Sequence, residues 1–446
     1  MSYTRLAAVA VALGVVSAWM MPARAEQNAT ADRYWANWRG PSANGSSRTA
    51  KPPTEWSETK NIKWKVEIPG RGSASPVVWG DRVYLLSSVP MGLSKDAAHA
   101  ARGGIEPRHL YRFMTMALDR RDGRVVWERV STEEKPHEST HPVNGSWASS
   151  SAVTDGQVVI AHFESRGMYA YDLNGKMLWQ RRFGEKAILS ESGEGTTPAL
   201  HGNYVVLVWD QSQGGSFIVV VDKRTGKDVW RVPRDEADTW PTPIIVEHEG
   251  RAQVITSGWG AIQAYDLETG KVIWHTSGLT PLPIPSPVAE DGIVVAMSGG
   301  NNGSRLKAIR LAEAKGDITD TSAIAWTLDR DTPYVGSPLL FEGLLYFVKH
   351  TSGLLSVYDA KTGKPHYRVQ RLEALPTIYT SPVAADGRVY IVGADGATLV
   401  IKHGPTFDVL ATNTLDDGFT ASPALVDNEI YLRGNKYLYC IAESKP

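Results

Sequence analysis

Three sets of residues have types and spacings that could do chemistry. His137-Glu138-Ser139-Thr140-His141 spells the H-E-x-x-H pattern, in which a helix sets two histidines on one face for zinc and the glutamate acts as base. Pro136 precedes it, Pro142 follows it and strand-like runs flank it, so the required helix has no room. No metal site is expected, and His141 is expected as a loop or channel residue. Gly70-Arg71-Gly72-Ser73 and Gly299-Gly300-Asn301-Asn302-Gly303 are glycine-rich. Neither lies between a strand and a helix as a phosphate loop must, and both read as turns. The single cysteine, Cys440, has no basic neighbour to lower its pKa and reads as a buried strand residue. No triad can be assembled, and no catalytic residue is assigned.

The elements that would position such groups recur through the chain. Eight segments open on a small residue, usually followed by proline, and then run apolar: Ser75-Pro76, Ser151-Ala152, Thr197-Pro198, Thr242-Pro243, Ser286-Pro287, Ser337-Pro338, Ser381-Pro382 and Ser422-Pro423. Their second members are spaced by 76, 46, 45, 44, 51, 44 and 41 residues. A second signature runs from Asp through Gly to an aromatic: Asp119, Gly123, Trp127; Asp172, Gly175, Trp179; Asp222, Gly226, Trp230; Asp266, Gly270, Trp274; Asp359, Gly363, Tyr367. Asp hydrogen-bonds its own backbone, Gly supplies the positive φ that closes the turn, and the aromatic packs from an outer strand toward the next sheet. These aspartates are turn residues, not catalytic carboxylates.

A repeat of about 40 to 50 residues with four short strands is a propeller blade. The expectation is an all-β, eight-bladed β-propeller of four-stranded antiparallel blades. After Pro423 only 429–432 and 437–442 remain as strands, so the last blade is one strand short. Residues 61–66, with Trp64 at the aromatic position, supply it, joining the chain ends and removing an exposed edge.

The (Ser/Thr)-Pro starts and the Asp-x-x-Thr-Gly-Lys-x-x-Trp turns at Asp222–Trp230 and Asp266–Trp274 resemble the PQQ-like β-propeller repeat family. That superfamily takes in quinoprotein alcohol dehydrogenases and BamB-like outer-membrane assembly lipoproteins. The resemblance covers residues 61–446. Trp38-Arg39-Gly40-Pro41 and His141-x-x-Asn144-x-x-x-Ala148-Ser149 are further similar to a group of exported bacterial PQQ-like repeat proteins. The repeat is specific for fold and not for activity.

With strands A to D reversing in turn, A–B and C–D turns lie on one face and B–C and D–A loops on the other. The second face receives the long segments 87–115, 131–148, 183–196, 209–216, 231–241, 275–285, 298–304 and 327–336, and loops on a rigid scaffold are where binding residues concentrate. The candidate ligand-binding residues there are His141, Trp147, Asp210, Trp240, Trp259, Asn301, Arg305, Asp331, Tyr334 and His350. The longest segment carries His99, Arg102, Arg108 and His109 and reads as a solvated loop, with a lid or partner-binding flap as the alternative.

The resemblance also sets requirements for an enzyme. A quinoprotein dehydrogenase holds PQQ between a tryptophan and a disulfide of adjacent cysteines, with a calcium ion and an aspartate base. One cysteine cannot form that disulfide. Asp210, Asn301 and Trp259 could stand as base, calcium ligand and platform, but no spacing selects them.

Composition bounds the rest. With 446 residues, 42% of them hydrophobic, the chain can bury a large core; 47 basic against 48 acidic side chains leave no broad basic surface, and no nucleic-acid partner is expected. Arg5, the apolar run Leu6–Met20 and Ala23-Arg24-Ala25 match a cleavable signal peptide over 1–25, followed by an N-terminal arm over 26–60 and the propeller over 61–446. No cysteine stands at the cleavage site for a lipid anchor. The expectation is a periplasmic or extracellular protein, neither membrane-spanning after cleavage nor a lipoprotein. It would act as a non-catalytic binding or scaffold module, meeting an envelope protein, a peptide or a small molecule on its loop-rich face. No cofactor is expected; PQQ and calcium enter only with the alternative, a quinoprotein oxidoreductase.

Overall fold

The computed structural model describes residues 32–93, 109–189 and 192–443, so the signal-peptide reading and most of the basic insertion lie outside the described residues. The described residues form eight sheets around a common axis. Blade 1 is Val77–Trp79, Arg82–Pro90, Tyr111–Asp119 and Val125–Glu134; blade 3 is Ala199–His201, Tyr204–Trp209, Phe217–Asp222 and Asp228–Pro233. The other six repeat this antiparallel order, inner strand first. Blade 8 is completed from the other end of the chain: Ile62–Glu67 pairs antiparallel with Tyr437–Ala442, Trp64 opposite Cys440. The expected closure is therefore present, and Cys440 is buried in that strand.

The second and third strands of each blade are sandwiched between neighbouring blades, so they read as continuous apolar runs, as in Tyr204–Trp209 and Phe217–Asp222. Outer strands such as Asp228–Pro233 are half exposed. The hydrophobic clusters accordingly lie between blades; one joins Val153, Ile160 and Met168 of blade 2 to Val205, Leu207 and Val219 of blade 3.

The Asp-Gly-aromatic signature welds five of the eight seams between blades. The Asp222 carboxylate accepts from the backbone of Arg224 and Thr225 and from the Thr225 hydroxyl, and Asp266 and Asp359 cap their turns alike. The turn glycine then lies flat under the preceding blade's tryptophan: a Cβ on Gly175 would come within 2.6 Å of Trp127. The indole N–H reaches a carbonyl of that turn, from Trp64 to Arg120 (2.9 Å), Trp127 to Leu173 (2.9 Å), Trp179 to Lys223 (2.8 Å), Trp230 to Leu267 (2.8 Å) and Trp326 to Ala360 (2.8 Å). Trp274 departs from the series and bonds Gln253 of its own blade. The turn after it is replaced by residues 311–323, whose Gly316–Asp317 adds a parallel fifth strand outside Trp274 and His275.

Two expected loop segments are shorter than the sequence suggests. Blade 1 strands extend to Pro90 and resume at Tyr111, and its outer strand runs on to Glu134, because a long hairpin carries its pairing outward.

The N-terminal arm crosses the axis on the A–B turn face. Trp35, fully buried, bridges Val78 of blade 1; the Ala36 carbonyl takes Thr154 N–H of blade 2; the Asn44 carbonyl takes Leu340 N–H of blade 6; and Ser46–Ser47 pairs parallel with Ala384–Ala385 of blade 7. Between these anchors Trp38 and Arg39 enter the channel. Gly45 is required there, since a Cβ would fall 2.2 Å from the Arg39 guanidinium.

Candidate functional site

The eight Ser/Thr residues that open the inner strands face the axis at one level. Their hydroxyls link blade to blade: the N–H of Ser422 donates to the Ser75 hydroxyl (3.0 Å), Ser75 to Ser151 (2.9 Å), Ser151 to Thr197 (3.0 Å), Thr242 to Ser286, Ser286 to Ser337, Ser337 to Ser381 and Ser381 to Ser422 (each 2.9 Å). All eight side chains line an axial pocket of about 380 Å³. Trp38 of the arm also lines it, entering from the turn face, while the D–A loops surround its mouth, so it opens on the loop-rich face.

The walls above this collar are mixed. Leu282, Ile284, Val335, Tyr334, Tyr379 and Trp240 give an apolar and aromatic side; His141, Asn144, Ser146 and Glu194 give a polar one. Trp240 is held by its indole N–H on the Gly193 carbonyl at 2.7 Å. His141 Nδ1 accepts from Val143 N–H (3.3 Å) and Asn144 N–H (3.4 Å), which leaves the ring proton on Nε2. Burial lowers its pKa and keeps the ring neutral.

The pocket's carboxylate, Glu194, is already engaged: Arg166 meets it at 2.6 Å and Ser165 donates N–H and O–H at 2.9 Å. His137, Glu138 and Glu194 have ligating atoms within 4.8 Å of one another, a spacing that could hold a cation. The Arg166 guanidinium stands on that cluster, bonding Glu194 and lying 3.3 Å from His137 Nδ1. The H-E-x-x-H run forms no helix; His137 Nε2 bonds the Lys186 carbonyl at 2.9 Å, Glu138 accepts from Ile188 N–H (3.3 Å) and His141 N–H donates to the Ser192 carbonyl (3.1 Å). Glu138 is pushed up to about 7 by burial and by Glu194.

Of the ten sequence candidates, the pocket brings together His141, Trp240 and Tyr334. Trp147 packs against Tyr111, ring centroids 4.6 Å apart and tilted by 56°, and donates its indole N–H to the Glu138 carbonyl. Asp210 is fully buried in a two-pronged ion pair with Arg234 (2.8 and 3.1 Å) and accepts from Thr239. Asp331 pairs with Lys349 (3.0 Å) and Arg368 (3.4 Å). His350 bridges Pro333 beside the pocket, and Trp259, Asn301 and Arg305 are exposed on B–C turns. Sequence reasoning did not place the collar or Trp38. The collar residues were in view as repeat markers, and only ring closure shows that eight such markers face one axis.

A family model described as the outer membrane protein assembly factor BamB matches residues 54–217 and 214–444. The chain belongs to that family, the PQQ-like propellers. BamB from Moraxella catarrhalis is similar in structure at 13% identity, with a TM-score of 0.53, over 80% of this chain and 98% of that one. A quinohemoprotein alcohol dehydrogenase from Comamonas testosteroni is similar at 13% identity, with a TM-score of 0.61, over 95% and 83%. A europium-containing methanol dehydrogenase is similar at 11% identity, with a TM-score of 0.58, over 90% and 89%. At such identities these likenesses show the fold alone. No curated protein matches the chain.

The dehydrogenase likeness invites a test of fit for PQQ and calcium. The described lining residues do not offer a calcium donor set: Glu194 is consumed by Arg166 and Ser165, and Asp210 by Arg234 outside the pocket. Asn301 and Trp259, the other two candidates for such a site, do not line it either. The single cysteine lies in the blade 8 strand, so no adjacent pair can flank a quinone. The residues present do not fit the metal-assisted quinone site.

Proposed function

We propose that this chain is an exported, periplasmic or extracellular binding module of the cell envelope, taking a small molecule or the end of a peptide in its axial pocket. The observation that carries the reading is the cup itself: a channel crossed at one end by Trp38 and the arm, open at the other, in which the carboxylate among the described lining residues, Glu194, is already paired with Arg166. Trp240 and Tyr334 are the anchors at the mouth, where aromatic side chains supply contact area at small entropic cost. No helix among the described residues is long and apolar enough to cross a membrane, consistent with a free or peripheral module. The family name, an assembly factor of outer-membrane proteins, supports an envelope protein as partner.

The test is capture from envelope extracts by the purified protein carrying a photo-crosslinking residue at Tyr334. One defined partner or ligand should be recovered, and Trp240→Ala should weaken capture at least tenfold, the loss of an aromatic hot spot. Equal capture by the variant would misplace the surface. Incubation with PQQ and calcium tests the oxidoreductase alternative: a stoichiometric quinone absorbance with dye-linked alcohol oxidation would replace the binding-module reading.

A further inference from the structure

Every collar hydroxyl has a proton to place, and none of them bonds a described protein acceptor. Seven of the eight accept a neighbour's N–H, which uses an oxygen lone pair and leaves O–H free. Among the described residues, none of the eight donates to a protein acceptor. His141 adds a ring N–H on the same wall. The collar therefore presents donors to the pocket; among the described lining residues the one carboxylate, Glu194, is matched by Arg166, and Asn144 Oδ1 on the wall is an acceptor without a partner.

Below the collar lies a charge with no counter-ion among the described residues. Arg39 is 1% exposed and forms no ion pair with them; its terminal nitrogens bond the Pro338 (2.6 Å), Pro382 (3.0 Å) and Asn44 (3.3 Å) carbonyls, and Nε has no partner there. Pro338 and Pro382 directly follow the collar members Ser337 and Ser381, so the guanidinium sits under that arc. Arg39 and Trp38 also line a second cavity of about 140 Å³ that shares Thr242 and Ser286 with the pocket. Burial lowers the Arg39 pKa to about 9, and the charge is met by three carbonyl oxygens and by no carboxylate among the described residues. A buried cation of this kind is costly unless an anion approaches it.

We infer that the axial pocket binds its ligand by a carboxylate, seated on the Ser337–Ser381 arc of the collar above Arg39, with the ligand's apolar body against Trp240 and Tyr334. The inference rests on the reading of the pocket as the binding site and names the ligand's chemistry. One guanidinium and neutral hydroxyls suit a single negative charge; a phosphate dianion would leave half its charge unmatched. The carboxylate can belong to a free organic acid or to the C-terminus of a peptide.

The experiment uses the whole protein, calorimetry, and the indole resonances of Trp38 and Trp240. Probes are benzoate, its neutral isostere benzamide, inorganic phosphate, and the tripeptide Ala-Ala-Phe as free acid and as C-terminal amide. Benzoate should bind with Kd at or below about 1 mM, as a few charge-assisted bonds allow, and benzamide at least tenfold more weakly. Arg39→Gln should remove that preference. Tripeptide acid binding tighter than benzoate, with the amide losing the gain, assigns the carboxylate to a peptide end; the reverse assigns it to a free acid. Because Arg39 also latches the arm, the benzoate-to-benzamide ratio on the unaltered protein is the deciding number. Equal affinity of the two, with Trp240 shifting, overturns the charge inference and leaves the pocket. Phosphate binding more tightly than benzoate overturns the carboxylate assignment. No shift of Trp240 with any probe overturns both.

Discussion

Trp64 is the tryptophan that fastens the two ends of the chain, and its removal gives a quantitative test of the closed ring. Its ring is 8% exposed, lies 5.8 Å from Tyr431, covers Gly123 of blade 1 and donates its indole N–H to the Arg120 carbonyl at 2.9 Å. Truncation to alanine loses the transfer energy of a buried indole and leaves a cavity, together about 3–5 kcal/mol. It also strips a partner from Arg120. Phenylalanine keeps most of the packing and loses the hydrogen bond, so Trp64→Phe should cost about 1–2 kcal/mol. Urea unfolding followed by far-UV circular dichroism measures both, with Trp127→Phe as an internal reference for the same interaction inside continuous chain. If Trp64→Ala costs under about 1 kcal/mol, the residue is not packed at a load-carrying seam and the closure argument fails.

Three further outcomes follow from buried charges. Glu138 has its carboxyl raised from 4.5 to about 7 by burial and by Glu194, so the folded state holds this proton more tightly than the unfolded chain. Its contribution is full below about pH 4.5 and is lost as pH rises through about 7; allowing for partial exposure, Glu138→Gln should flatten a slope worth about 1–2 kcal/mol, read from urea unfolding at several pH values. Asp210→Ala should cost about 3 kcal/mol by removing the two-pronged partner of buried Arg234, which retains Glu236 at 3.6 Å, while pocket binding measured on the folded fraction is unchanged. Arg433, 1% exposed, has no hydrogen-bond partner among the described residues on any guanidinium nitrogen, and burial lowers its pKa to about 10. Its replacement by methionine should therefore raise Tm, by about 1–3 kcal/mol of stability, and a lower Tm would show that the charge is compensated in solution.

The architecture is legible because every blade carries one repeated signal and five of the eight carry a second. A Ser/Thr-Pro start marks the inner strand, and an Asp-to-Gly turn with a following tryptophan marks the outer hairpin; both are local signals with a local cause. Trp64 extended the aromatic pattern past the ring's seam, which made the closure readable. The site was less legible for the opposite reason. Trp38 and Arg39 belong to no repeat, and their place in the channel depends on anchors as far apart in sequence as Val78 and Ala384. Asp210 was chosen as an acid on a binding face, yet its carboxylate is spent on Arg234, 24 residues away across the blade 3 loop. His141, Trp240 and Tyr334 come from three different D–A loops, and which loop residues lean inward is decided by packing between blades. The fifth strand on blade 4 was hidden because two residues, Gly316 and Asp317, carry no strand pattern of their own.

The most direct measurement is amide hydrogen exchange of the protein with and without its captured partner or ligand. The account predicts protection gathered on the D–A loops around the axial pocket, over 136–147, 192–195, 238–242, 282–286 and 333–337, with the Asp-Gly turns of the opposite face unchanged. Protection concentrated on those turns, at 119–124, 222–227 and 266–271, with the pocket loops unaffected, would contradict it.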